Sequence, residues 1–200
     1  MKKTKPNEIE KRTFCGEIRV EGEDQKIVGH AAVFEEFSKP MWGFVEKIAV
    51  GAFDDVLDDD VRALFNHDAN LILGRTKAGT LKLSVDSIGL RYEITTPDTQ
   101  LGTDLIKSMK RGDINQSSFA FRVLDDDWQQ DDEGRTVRTI LKIKSLLDVS
   151  PVTYPAYDAA DSTVRSFDEF KGKYLGDDVI DYEKSRRELR IKILDLEPKY

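Results

Sequence analysis

Residues 117–123 read Ser-Ser-Phe-Ala-Phe-Arg-Val, and residues 136–149 read Thr-Val-Arg-Thr-Ile-Leu-Lys-Ile-Lys-Ser-Leu-Leu-Asp-Val. In the first stretch, alternation sends Phe119, Phe121 and Val123 to one face of an extended strand and Ser118, Ala120 and Arg122 to the other. The aromatic face belongs in a core. Outward from this stretch the chain repeats the same texture: FCGEIRV, KIVGHAAVF, FVEKIAV, VRALFN, LILGRT, TLKLSV and LRYEIT are short, rich in β-branched and aromatic residues, and separated by Gly, Asp, Asn or Pro. Strands of this length joined by brief turns, such as Lys77-Ala78-Gly79 and Asp86-Ser87-Ile88-Gly89, predict a mostly β fold, an antiparallel barrel or sandwich. Two flanking helices interrupt it. Residues 51–58 space Phe53, Val56 and Leu57 at i, i+3 and i+4. Residues 101–111 place Leu105, Ile106 and Met109 on one face, with Gly112 as the stop.

The 200 residues, 39% of them hydrophobic, suffice for one domain with a core. Thirty-one Lys and Arg against 38 Asp and Glu give a net charge of -7, which disfavours nucleic acid and anionic membranes as partners. With Cys15 as the sole cysteine, and His30 and His67 the two histidines, neither an internal disulfide nor a Cys/His zinc site is expected. Residues 1–12 are polar and charged, a loose leader that pairs at its end if at all; no apolar run follows its lysines, and a cytosolic chain is expected. A folded domain is expected over residues 13–163. A charged tail, 164–200, follows, with Ile180 or Tyr182, Leu189, Ile193 and Leu196 compatible with an amphipathic helix capped by Asp177 or Asp178.

General-base chemistry near neutral pH most often uses an imidazole, and there are two to weigh. His30 has small neighbours and no acid close in sequence, which fits a packed or edge-strand histidine. His67 ends the apolar run 61–65 in Phe-Asn-His-Asp, where a rigid strand meets a loop. Its parity matches Val61, Ala63 and Phe65, so reaching a groove requires a bend at the strand end. Ser118 projects from a firmly anchored strand beside compact Ala120, as a nucleophile or as a solvated strand serine. Asp148 alternates with Leu147 and Val149, as a carboxylate that orients an imidazole or as a surface aspartate. The acidic runs 58–60 and 125–133 lack calcium-loop spacing and read as solvated turns. Gly74-Arg75 and Lys77-Ala78-Gly79 lack the Gly-Lys-Ser/Thr of a phosphate loop.

In order along the chain, GHAAVF, FVEKIAVGAFDDVL, LFNHDANLILGRTKAGTLKLSVDSIGLRYEI, LGTDLIKSMKRGDINQSSFAFRV and LLDVSPVTYPAY resemble the tailed-phage prohead, or capsid maturation, serine proteases over roughly residues 28–158. The resemblance implies a serine endopeptidase with an antiparallel β-barrel and flanking helices, similar to herpesvirus assemblin proteases, and makes 13–163 the protease domain. It implies His67 as base, Ser118 as nucleophile and Asp148 as third member, with no metal or organic cofactor. Ser117 directly precedes Ser118, and the family commonly has glycine where Ala120 stands and often glutamate where Asp148 stands. Backbone N–H groups are expected to stabilise the oxyanion, and Arg122 is either an electrostatic helper there or the partner of a carboxylate. The implied substrates are the scaffolding segment of the major capsid protein or a separate scaffold protein, together with the protease itself. The implied place is the host cell cytoplasm, inside the procapsid, and a homodimer is the oligomer the resemblance raises. The alternative is a non-catalytic assembly factor that binds scaffold or capsid protein.

Overall fold

A computed structural model describes residues 8–14, 18–22, 26–41, 43–154, 167 and 170. The order is β1 (Glu10–Phe14), β2 (Arg19–Glu21), β3 (Lys26–Val33), β4 (Phe44–Ile48), β5 (Arg62–Phe65), β6 (Asp68–Arg75), β7 (Leu81–Val85), β8 (Gly89–Ile94), α1 (Gln100–Arg111), β9 (Gln116–Gln130) and β10 (Thr136–Val152). Strand β1 thus begins inside the segment expected to be a leader. The tail helix expected around Leu189 to Leu196 lies outside the described residues, where only Phe167 and Phe170 of the tail are seen, both helical.

The strands form two open sheets rather than the closed antiparallel barrel expected from the sequence. One has the order β1-β9-β10-β5-β6, with β4 also paired to β10; the other runs β2-β3-β8-β7. The first is mixed, because β4 and β5 both run parallel to β10 while β9 runs antiparallel on its other side. Apolar segments of this kind do not encode which partner each will take, so direction and closure escape a strand-by-strand reading. One core is lined from both sheets: Ile27, Leu90, Tyr92 and Ile94 of the smaller meet Ala63, Phe119, Phe121 and Val149 of the larger. Phe119 stacks on Phe121 at 4.5 Å and meets Phe53 edge-on at 5.7 Å.

Helix α1 forms where the spacing predicts it. Thr99 caps its start through Gly102 N–H, Leu105, Ile106 and Met109 are buried, and Gly112 closes it at φ 86°. Among the described residues up to Tyr154 it is the one α-helix. Residues 51–58, expected as a helix, are a succession of hydrogen-bonded turns, Asp54 N–H to Gly51 O and Val56 N–H to Phe53 O, that still bury Phe53 and Val56. The three-residue bonds satisfy the apolar spacing without a continuous helix.

Candidate active site

Three neighbouring strands build the site. In β9, Ser118 and Ala120 share the face opposite the buried Phe119 and Phe121, as alternation requires. Strand β10 lies against it with Ser150 opposite Ser118 and Asp148 opposite Ala120. A register shift between Leu146 and Asp148 interrupts simple alternation, and Leu146 and Val149 enter the core. On the far side of β10, β5 pairs through Arg62 and Ala63 and turns into β6.

That turn is where His67 departs from strand parity. Phe65 pairs with Asp68, leaving Asn66 and His67 as a two-residue hairpin loop, both at φ 57°. Positive φ is uncommon outside glycine, although asparagine and histidine are among the residues that adopt it most readily, so the surroundings hold the pair in place. They do so through Asn66: its N–H donates to Pro151 O, its Nδ2 to Thr153 Oγ1, and its Oδ1 accepts from Thr153 N–H. The hairpin tip is sewn to the end of β10, and the imidazole swings over the sheet.

The outcome is a line of short contacts. His67 Nε2 lies 2.7 Å from Ser118 Oγ, and His67 Nδ1 lies 2.6 Å from Asp148 Oδ1. Ser150 Oγ donates to the same Asp148 oxygen at 2.8 Å and sits 3.5 Å from His67 Nδ1. Ser150 did not emerge from the sequence reading, although its i+2 spacing from Asp148 on one strand face was a signal for it. An imidazole between a hydroxyl and a carboxylate can take the hydroxyl proton while the carboxylate holds its tautomer and balances the cation formed. Asp148, one atom shorter than glutamate, reaches His67 here.

Ser118 is wholly buried, whereas a solvated or groove-facing serine was expected. Its cover is β1, paired to β9 with Thr13 opposite Ser118, and the backbone carbonyl oxygen of Arg12 lies 2.8 Å from Ser118 Oγ, a second acceptor beside His67 Nε2 for the single hydroxyl proton. Ser117 points to the other face and donates to the buried Tyr92 hydroxyl at 3.0 Å. Burial pushes that phenol well above its ordinary range.

The remaining candidates fall elsewhere. His30 Nε2 lies 2.8 Å from Asp86 Oδ2, an acid remote in sequence. Burial raises the Asp86 carboxyl, but hydrogen bonds from His30 and from the N–H groups of Gly89 and Ile88 outweigh it and hold it at about 2. Arg122 donates to Ser145 Oγ at 3.4 Å. The acidic runs are more structural than solvated turns: Asp59 accepts from Leu146 N–H, Asp60 takes both arms of Arg75, and Asp126 receives Arg138 Nε at 2.7 Å. Among the described residues no cluster of His, Cys, Asp and Glu is arranged to hold a metal, and no helix is long and apolar enough to cross a membrane.

In comparison with known families, the sequence model described as caudovirus prohead serine protease matches residues 16–173. No curated protein and no solved structure matches, so the comparison with herpesvirus assemblin proteases has no solved structure behind it.

Proposed function

Because this chain belongs to the caudovirus prohead serine protease family, we propose that it is a serine endopeptidase with Ser118 as nucleophile, His67 as general base and acid, and Asp148 as the carboxylate that orients the imidazole. The observation that carries the assignment is the unbroken chain from Ser118 Oγ through both His67 nitrogens to Asp148 Oδ1, at 2.7 and 2.6 Å. In the first half-reaction Ser118 Oγ bonds to the substrate carbonyl carbon and its proton passes to His67 Nε2. Collapse of the tetrahedral adduct breaks the C–N bond, and Nε2 returns the proton to the departing amine. Water then attacks the ester, giving its proton to Nε2, and the C–O bond breaks to release the acid and restore Ser118.

Asp148 faces the imidazolium in both steps. The Ser150 hydroxyl satisfies one lone pair of that carboxylate and restrains its rotation. The substrates in this reading are the scaffolding segment of the major capsid protein or a scaffold protein, and the enzyme itself, within an assembling procapsid in the host cytoplasm. The domain over 13–163 carries the chemistry, without metal or organic cofactor. Co-expression with a capsid precursor, followed by mass spectrometry, tests this. Cleavage by the wild type and none by Ser118→Ala is expected, with a loss of about a million-fold in turnover. Unchanged cleavage by Ser118→Ala overturns the assignment.

A further inference from the structure

We propose that the edge of β9 now covered by β1 is the seat of the substrate, an extended peptide lying antiparallel to β9 with a basic side chain where Arg12 sits and an acidic one where Glu10 sits. Strand β1 is its stand-in from within the chain. The inference rests on the protease reading above and adds to it a binding mode and a sequence preference.

Three observations carry it. The first is access: Ser118 is 0% exposed, so no carbonyl can reach it while β1 stays, and the carbonyl that does reach it is Arg12's, at 2.8 Å. Main-chain pairing along a sheet edge, as β1 makes with β9 from Glu10 to Phe14, is how an extended peptide adds to a sheet. The second is position. Strand β1 is the edge strand of its sheet, five residues long, and precedes the family match that starts at residue 16. The sheet can therefore exchange one edge strand for another without rearranging its interior.

The third observation is the chemistry beneath the strand. Arg12 donates to Glu46 at 2.6 and 3.0 Å and to Glu10 at 2.6 Å, while Arg138 donates to Glu10, Glu46 and Asp126 at 2.7, 2.8 and 2.7 Å. Glu46 on β4, Asp126 on β9 and Arg138 on β10 belong to the rest of the domain. With β1 displaced they leave a carboxylate facing the Arg12 position and a guanidinium facing the Glu10 position. With two of these carboxylates to one guanidinium, an incoming strand is selected for a basic residue at the Arg12 position, and an acidic residue two places before it gives back to Arg138 the contact that Glu10 made. The bond presented to Ser118 is then the one that follows the basic residue.

The test uses the full-length protein and two fluorogenic peptides. One carries Glu-Ile-Glu-Lys-Arg-Thr-Phe, the sequence of residues 8–14, and the other has alanine in place of the arginine. The wild type should cleave the first after arginine roughly a hundredfold faster than it cleaves the second. Glu46→Gln should narrow that preference. In parallel, Arg12→Ala loosens β1, and a fluorophosphonate should label its Ser118 roughly tenfold faster than in the wild type. Circular dichroism verifies its folding, and Ser118→Ala serves as the blank. Equal cleavage of both peptides, cleavage at another bond, or no cleavage by protein whose Ser118 is labelled overturns the binding mode and leaves the protease reading standing. So does equal labelling of a folded Arg12→Ala. Absence of labelling at Ser118 in both proteins instead defeats the protease reading, and this proposal with it. If Arg12→Ala does not fold, the peptide comparison on the wild type decides alone.

Discussion

Replacing Asp148 with asparagine separates the two things its carboxylate can do for His67. Both close contacts of the side chain, with His67 Nδ1 at 2.6 Å and with the Ser150 hydroxyl at 2.8 Å, fall on one oxygen, Oδ1. An asparagine that keeps its amide oxygen there accepts both hydrogen bonds, so the tautomer survives and only the charge is lost. At about 4 Å between charge centres and an effective dielectric constant of about 20, the carboxylate stabilises an imidazolium by about 4 kcal/mol. Losing that raises the barrier enough to slow the reaction about a thousandfold. If the amide flips, its N–H₂ faces Nδ1 and the proton moves to Nε2. His67 can then no longer accept from Ser118, and the loss approaches ~10⁴. The assay is the second-order rate of fluorophosphonate labelling at Ser118, alongside cleavage of co-expressed capsid precursor, with folding verified by thermal melting. A loss below about tenfold would refute the reasoning, because a carboxylate this close to an imidazolium cannot contribute so little to its formation.

Ser150→Ala removes a hydrogen bond to a charged group, which contributes about 1.5–3 kcal/mol where measured. Labelling should fall by roughly one to two orders of magnitude, and Ser150→Thr, which keeps the hydroxyl, should recover most of it. Asn66→Ala should destabilise the protein by about 1–2 kcal/mol in urea unfolding, since alanine tolerates the φ of 57° poorly and offers nothing to Thr153. Asn66→Gly should restore part of that stability but not the full activity, because the side-chain ties to Thr153 remain lost while the backbone bond to Pro151 is kept. The Asp86 carboxyl, at about 2 when folded against an ordinary 3.8, contributes stability that is complete above about pH 4 and is lost as the pH falls through about 2. Asp86→Asn should accordingly lower the Tm at pH 6 and flatten its decline between about pH 4 and pH 2; an unchanged acid profile would exclude the His30–Asp86 contact as a stabilising one.

Wherever a periodicity is local, the chain declares its structure in the letters. The alternation of Phe119, Phe121 and Val123 with Ser118 and Ala120 places β9 and its two faces, and Leu105, Ile106, Met109 and Gly112 place α1 and its end. Side-chain direction in these segments follows from backbone repeat alone, which needs no knowledge of neighbours. Quantities that depend on which segment lies beside which are absent from such patterns. His67 has the parity of a core residue, and only the Asn66–His67 turn, held by Pro151 and Thr153, brings it over Ser118. The shift at Leu146/Asp148 brought Leu146 into the core, β4 and β5 pair parallel to β10 in a sheet that does not close, and β1 covers a serine expected to be solvated or groove-facing. Each of these is a choice among strand edges that offer the same N–H and C=O groups. Such a choice is made by the sum of contacts over the folded chain, which no single window of residues contains.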